Sequence, residues 1–202
     1  MRIVDRARSL LMRAHRIRAS RSRQDWESEY GNSTWGLLSD LTEMGRYWVA
    51  TGYCARTFQR PSILDVGCGT GLMEEKLRLL PYSRYLGIDF SLNALLQFRN
   101  SRDYTPRLVC ADLNDFWVTE KFDAIVFMEA FEADMPIPQT LERYCAFLRP
   151  KGRLILSMYD GENKTATTRM WGKIRESFKV EDATQVENLP TQKSWKIALL
   201  AP

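Results

Sequence analysis

Apolar residues in the middle of the chain occur in short continuous runs, and glycine, proline or charged residues separate these runs. Short apolar runs of about four to eight residues are typical of strands buried on both faces of a parallel sheet. They predict five strands, at residues 63–66, 84–90, 107–112, 122–129 and 153–159. A helical pattern at residues 72–77 follows the first strand directly, so we expect an α/β fold.

The turn between the first strand and this helix contains a D-x-G-x-G-x-G run that starts at Asp65. Glycines let a backbone turn sharply and lie close to a ligand, and nucleotide-like ligands bind at this first strand-to-helix turn. The dinucleotide fingerprint G-x-G-x-x-G would need a third glycine at the position of Leu72. The spacing therefore disfavours a dinucleotide, and a tight turn without a ligand is the alternative.

This motif resembles the first motif of class I S-adenosylmethionine-dependent methyltransferases. The resemblance implies a Rossmann-like, doubly wound, seven-stranded and mostly parallel sheet whose last strand is antiparallel, with S-adenosylmethionine as cofactor. It covers residues 60–160 and extends more loosely to two further strands, predicted at residues 178–186 and 195–200. In the turn it implies these cofactor-binding residues: Asp65, Gly67, Cys68, Gly69 and Gly71.

The ends of the second and third strands carry the next candidates for cofactor binding. Asp89 is placed to accept hydrogen bonds from ribose hydroxyls, and Phe90 could lie against the adenine ring. The alternative makes Asp89 a helix cap and Phe90 a core residue. By resemblance, Asp112 would accept from the adenine amino group, with the backbone of Leu113 beside the ring; the alternative for Asp112 is a solvated turn residue.

The resemblance also implies that the carboxyl end of the fourth strand lies beside the transferable methyl group. We expect Met128 to contact the cofactor, Glu129 to be a candidate general base, and Glu132 and Tyr159 to contact the acceptor. Loop acids are commonly solvated, and a base is needed only when the nucleophile arrives protonated. The sequence lacks the Asp/Asn-Pro-Pro-Tyr/Phe tetrapeptide of enzymes that methylate nucleic-acid bases or glutamine, and lacks an aspartate here for Mg²⁺, so no metal site is predicted.

The first 23 residues form a basic segment with apolar positions at helical spacing. They contain eight arginines and one acidic residue, Asp5, for a net charge of about +7, whereas the whole chain carries +4. We expect a basic amphipathic helix or tail, which either packs on the domain, binds an anionic membrane surface or acidic partner, or serves as a targeting peptide. The only histidine, His15, lies here, which disfavours histidine-based catalysis.

Residues 24–60 are rich in aromatic side chains and are expected to form a helical cap over the cofactor and acceptor. The run D-W-E-x-E-Y-G-N-S-T-W-G resembles the start of bacterial N-methyltransferases of nodulation-type sugar metabolites, and its Trp35 is a candidate acceptor contact. A helix is predicted over residues 37–56. Its Arg46 could pair with the cofactor's carboxylate, since arginine suits that bidentate geometry.

Length and composition agree with one cofactor-binding domain at residues 61–202 behind the cap. A chain of 202 residues with 45% hydrophobic residues can bury one sizeable core, and no run reaches the length of a membrane span. The four cysteines are far apart and have mostly apolar neighbours, so we expect buried thiols in a reducing, cytoplasmic compartment, peripheral to a membrane if the basic segment binds one. The oligomeric state stays open, and no specific nucleic-acid signal is present.

We therefore expect a methyltransferase that acts on an O or N atom of a small or medium-sized acceptor. One alternative is an interaction module that binds S-adenosylmethionine without turnover. A nicotinamide-dependent oxidoreductase and an aminopropyl transferase are two others; Leu72 at the third glycine position argues against the first of these.

Overall fold

Seven strands form one sheet in the order β3-β2-β1-β4-β5-β7-β6. The structure is a computed structural model that describes residues 22–32, 40–98, 106–131, 135–160, 164–189 and 191–202. The strands are β1 (Ser62–Val66), β2 (Arg84–Asp89), β3 (Arg107–Cys110), β4 (Phe122–Met128), β5 (Leu148–Tyr159), β6 (Lys179–Asn188) and β7 (Lys193–Ala201).

Strand β1 lies at the point where the strand order reverses. It pairs in parallel with β2 on one side and with β4 on the other, and β5 continues the parallel set. Strand β7 runs antiparallel to both β5 and β6. This topology confirms the predicted Rossmann-like sheet, and its ligand crevice is expected at the carboxyl ends of β1 and β4.

Helices cover both faces of the sheet. They are α1 (Arg23–Gly31), a 3₁₀ turn (Leu41–Glu43), α2 (Gly45–Thr57), α3 (Leu72–Leu77), α4 (Leu92–Leu96), α5 (Ile137–Cys145) and α6 (Lys164–Ser177). Alternate residues of β1 face opposite layers, since side chains alternate across a strand. Leu64 and Val66 pack with α5 and α6, whereas Ile63 packs with α2 and α3.

The second helix of the cap starts later in the chain than predicted. The helix predicted over residues 37–56 starts at Gly45, and a 3₁₀ turn precedes it. The side chain of Asp40 accepts a hydrogen bond from the amide of Thr42 at 2.9 Å, which starts that turn. Residues 33–39 lie outside the described residues, as do residues 1–21, which make up most of the predicted basic segment.

Strand β5 is longer than predicted and is irregular near its start. Phe122 pairs with Leu148, but Ala124 pairs with Arg153, so residues 148–152, which precede the predicted strand, lie within β5 around an irregularity. Lys151 has a φ of 68° there, which places it in the left-handed region. No helix in the described part of the chain is long and apolar enough to cross a membrane.

The expectation of four buried thiols is correct only in part. Cys54 and Cys68 are buried and Cys145 is half-buried, but Cys110 is exposed, and all four are free. Cys110 ends β3, which is the edge strand of the sheet, so it is less covered than the central strands.

Candidate active site

The conformation of the glycine turn favours glycine at each of its three positions. Gly67, Gly69 and Gly71 have φ values of 72°, 53° and 85°, a region that side chains strain. Space is lacking as well. A Cβ atom on Gly67 would lie 2.9 Å from the Cβ of Ala130, and one on Gly71 would lie 2.7 Å from the Phe98 ring. The turn therefore combines positive φ values with contacts that are too close for a side chain at Gly67 and Gly71 unless neighbouring atoms move.

The carboxylate of Asp89 connects the end of β2 to this turn. Its Oδ2 accepts a hydrogen bond from the amide of Gly69 at 2.9 Å, and its Oδ1 accepts from the amide of Ser91 at 2.8 Å. Burial raises the pKa of Asp89, and these two backbone bonds partly offset that effect. Ser91, and not Asp89, caps α4. Each carboxylate oxygen of Asp89 accepts one backbone hydrogen bond, so each keeps a lone pair for a ligand at the turn.

Asp65 is fully buried below the turn with one carboxylate oxygen unused. The hydroxyl of Tyr85 donates to Oδ2 at 2.7 Å, whereas Oδ1 has no hydrogen-bond partner among the described residues. Burial raises the pKa of Asp65 to about 7; the bond from Tyr85 opposes this shift, and the charges of Asp89 and Glu74 add to it. A buried acceptor without a donor costs free energy, so this oxygen suits a cationic or N–H ligand.

The guanidinium of Arg46 lies between two aromatic rings and is 1% exposed. Its carbon is 4.8 Å from the centre of the Tyr47 ring and 4.6 Å from that of Trp195. Nη1 donates to both the carboxylate and the carbonyl oxygen of Glu43 at 2.9 Å, whereas Nε has no partner in the described part of the chain. Nη1 makes both hydrogen bonds of the guanidinium, so the donor on Nε remains for an anionic group, and no hydrogen bond from Nη2 is observed among the described residues.

Glu129 follows β4 in a left-handed conformation with a φ of 59°. Its Oε1 accepts from the hydroxyl of Ser157 at 2.9 Å, and its Oε2 accepts from the amide of Tyr159 at 2.9 Å. The carboxylate therefore joins the carboxyl ends of β4 and β5. The ring of Tyr159 contacts Trp195 edge-on, and Met128 is buried in the layer beside α2.

The first helix covers Phe90 at the end of β2. The ring of Trp26 contacts Phe90 edge-on at 6.5 Å between centroids, and Arg23 donates to the carbonyl oxygen of Phe90 at 3.0 Å. Phe90 is half-buried, so its ring is neither ordinary core nor free surface. This position, between α1 and the carboxyl end of the sheet, is compatible with contact to a planar ligand.

Asp112 forms a local turn after β3. Its Oδ1 accepts from the amide of Asn114 at 2.8 Å, as in the turn alternative for this residue. The next residue, Leu113, is fixed through its carbonyl oxygen, which accepts from the hydroxyl of Tyr144 at 2.9 Å and from Arg143. The second oxygen of Asp112 has no hydrogen-bond partner among the described residues.

Tyr30 is a site residue that the sequence reasoning missed. Its hydroxyl lies 3.0 Å from the place where a Cβ of Gly69 would be, and burial followed by the charge of Asp89 raises its pKa well above the ordinary value. Glu27 fastens the same helix to α4, because its carboxylate accepts from the amides of Leu92 and Asn93 at 2.8 and 3.2 Å. The sequence signals for this helix were the aromatic richness of residues 25–58 and the run that begins at Asp25, and neither singled out Tyr30.

Two predicted acceptor contacts, Trp35 and Glu132, lie outside the described residues. Within the described ranges, no group of three or more histidine, cysteine, aspartate or glutamate side chains is arranged to hold a metal ion.

Curated relatives match about half of the chain. The ubiquinone biosynthesis O-methyltransferase of Bradyrhizobium diazoefficiens is 29% identical over 98 residues, which cover 47% of this chain and 38% of that protein. The mitochondrial ubiquinone biosynthesis O-methyltransferase of Saccharomyces cerevisiae is 35% identical over 105 residues, which cover 48% of this chain and 33% of that protein. The match thus spans less than half the length of either relative.

Two solved structures share the fold. The N-methyltransferase NodS of Bradyrhizobium japonicum, in complex with S-adenosyl-L-homocysteine, has a TM-score of 0.71 at 20% identity, with 88% of this chain and 96% of that chain covered. The 1,6-didemethyltoxoflavin N1-methyltransferase of Burkholderia thailandensis, with its acceptor and S-adenosylhomocysteine bound, has a TM-score of 0.67 at 16% identity, with 90% of both chains covered.

A family model described as a methyltransferase domain matches residues 39–196. This match includes the glycine turn, all of the strands from β1 to β6 and the start of β7. Since it covers well over half of the chain, the protein belongs to the methyltransferase domain family, within the class I S-adenosylmethionine-dependent methyltransferases that the glycine motif predicted.

Proposed function

We propose that this protein transfers a methyl group from S-adenosylmethionine to an O or N atom of a small or medium-sized acceptor. The observation that carries the proposal is the fully buried Asp65 oxygen without a donor among the described residues, beside a turn whose three glycines have positive φ values. The α-ammonium group of the cofactor is a donor of the kind that this oxygen lacks.

The remaining site residues fit the other parts of the cofactor. Arg46 would bind its carboxylate through the unpartnered Nε, and Asp89 would accept from the ribose hydroxyls beside the glycine turn. Phe90 and Leu113 would lie along the adenine, and Asp112 would accept from the adenine amino group through its second oxygen. We also assign contacts along the cofactor to Gly67, Cys68, Gly69, Gly71 and Met128.

When bound, the cofactor supplies a methyl group that is electrophilic because it is attached to a sulfonium. The contribution of this chain is then mainly to align the acceptor with that methyl group, since in-line displacement depends on orientation. Glu129 is held by Ser157 and the amide of Tyr159, which fixes its carboxylate at the end of β4. In this position we assign Glu129 the role of a general base, which accepts the proton of an acceptor that arrives protonated.

Contacts to the acceptor are assigned to Trp35, Glu132 and Tyr159. The relatives named above include O-methyltransferases and N-methyltransferases, and this supports methylation while leaving the receiving atom open. The small acceptor in the didemethyltoxoflavin enzyme supports the same size class here.

Calorimetry followed by a turnover assay tests the proposal. S-Adenosylmethionine should bind the full chain more tightly than NADH, and release of S-adenosylhomocysteine should report methyl transfer across a panel of hydroxyl and amine acceptors. Tighter binding of NADH would refute the proposal in favour of an oxidoreductase. Binding of the cofactor without turnover on the whole panel would favour an interaction module. Release of 5′-methylthioadenosine when decarboxylated S-adenosylmethionine is supplied as the donor would indicate aminopropyl transfer.

A further inference from the structure

A buried carboxylate joins the helical cap to the last strand of the sheet. Glu43 is 4% exposed, and its Oε2 accepts from Nη1 of Arg46 at 2.9 Å. Its Oε1 accepts from Nζ of Lys193, the first residue of β7, at 2.5 Å. Both carboxylate oxygens are therefore bonded to cations, and the three side chains together carry one excess positive charge.

This network restricts which part of the Arg46 guanidinium can meet a ligand. Nη1 is committed to Glu43 through two hydrogen bonds, and the rings of Tyr47 and Trp195 lie near the guanidinium at 4.8 and 4.6 Å. The edge that carries Nε is left with an unpartnered donor. Since guanidinium donors lie in one plane with fixed directions, the position of Nη1 sets the direction of Nε.

The charges around Arg46 also favour binding of an anionic group. Burial alone would lower the pKa of Arg46, but the nearby Tyr47, Glu129 and Glu43 raise it overall. Arg46 thus keeps its charge in a buried place where an isolated cation would be costly. An N–H of this charged guanidinium suits an anionic ligand group at Nε.

We propose that Glu43 is a positioning residue that directs Arg46 towards the α-carboxylate of the cofactor, and that Lys193 holds Glu43 in place for this role. The inference rests on the proposed function. It assigns a part in cofactor binding to the last pair of strands, which reach the site through Lys193. The adenosine portion is assigned to Asp89, on the other side of β1, so the network acts on the amino-acid portion alone.

A pair of ligands that differ only in the amino-acid portion separates this role from a general structural one. S-Adenosylhomocysteine carries the α-carboxylate, whereas 5′-methylthioadenosine has the same adenosine and a thioether but no amino acid. Dissociation constants for both are measured by calorimetry on the wild type, on Glu43→Gln and on Lys193→Met. Glu181→Gln is the matched control, because Glu181 pairs with Arg153 between β6 and β5 away from Arg46.

We expect Glu43→Gln to weaken S-adenosylhomocysteine about tenfold, within the range for charge-assisted hydrogen bonds, and to leave 5′-methylthioadenosine within about twofold. Lys193→Met should give a smaller loss with the same selectivity, and Glu181→Gln should change neither ligand. An equal loss for both ligands in Glu43→Gln, or no loss for either, would overturn the positioning role.

A second variant keeps the test decisive if Glu43→Gln folds poorly in thermal melts. Arg46→Lys removes the planar guanidinium and should show the same selective loss of S-adenosylhomocysteine affinity. Adding Lys193→Met to Arg46→Lys should weaken that affinity little further, because both changes act on one contact. Independent, additive losses would overturn the proposal. A wild type that binds neither ligand would refute the proposed function as well, which distinguishes the two failures.

Discussion

Replacing Asp65 with asparagine should stabilise the ligand-free protein at pH 8. The fully buried carboxyl has a pKa raised from its ordinary value of 3.8 to about 7, so at pH 8 the folded chain carries a buried charge. The difference corresponds to about 4 kcal/mol, at about 1.4 kcal/mol for each pKa unit. Because folding raises the pKa, the protonated Asp65 carboxyl contributes its full stability to the folded state below pH 3.8, and this contribution is lost as the pH rises through about 7.

Asparagine keeps an oxygen for the Tyr85 hydroxyl and has nearly the same volume, but it puts an unpartnered amide where Oδ1 was. That buried amide costs about 1–3 kcal/mol, so a gain of about 1–3 kcal/mol should remain at pH 8. Near pH 5 the folded aspartate is already protonated, and the gain should vanish or reverse.

Urea unfolding at pH 5 and pH 8 measures this effect on the ligand-free wild type and on Asp65→Asn. Asp115→Asn makes the same chemical change on the exposed surface and should alter the free energy of unfolding by less than about 0.5 kcal/mol at either pH. In calorimetry, Asp65→Asn should weaken S-adenosylhomocysteine about tenfold at pH 8, because the ligand's ammonium pairs with the ionised form. A variant that is destabilised equally at both pH values would refute the reasoning.

Four further changes test the other parts of the site. Asp89→Ala should weaken cofactor binding about tenfold or more, equivalent to about 1.5–3 kcal/mol, and an unchanged dissociation constant would remove this residue from the site. Gly71→Ala, with a φ of 85° and the Phe98 ring 2.7 Å from the new Cβ, should lower the melting temperature by several degrees, and a melt like that of the wild type would contradict the crowding argument. Glu129→Gln should reduce turnover more than cofactor affinity, and equal rates would exclude a base there. Deleting residues 1–21 leaves Ser22, the N-cap residue of α1, in place, and should preserve cofactor affinity but reduce binding to anionic vesicles. If the full chain does not bind such vesicles, the membrane proposal is refuted.

The turn and the strands around it were predictable from local sequence. Three glycines at alternate positions satisfy a backbone path that needs positive φ and lacks space for a side chain, and these are properties of the residues themselves. Continuous apolar runs likewise indicate strands that are covered on both faces. Local sequence also placed Asp89 at the end of β2, because strand length and spacing from the turn are short-range features.

Contacts between residues that are far apart along the chain could not be predicted from local sequence. Glu43 and Lys193 are 150 residues apart, and nothing near either one in the sequence indicates the other. Strand limits moved for the same reason: β5 begins at Leu148 because its pairing with β4 tolerates an irregularity that only the assembled sheet shows.

By itself, then, the sequence determined the α/β class and the glycine turn, since these depend on residue type at short spacing, and the resemblance of that turn to a known family implied the cofactor. Only the tertiary structure decided that one oxygen of Asp65 lacks a donor and that its pKa is raised to about 7, that Tyr30 lies beside the turn, and that Arg46 donates to Glu43. Burial and charge neighbours are sums over the whole fold, so no local pattern carries them.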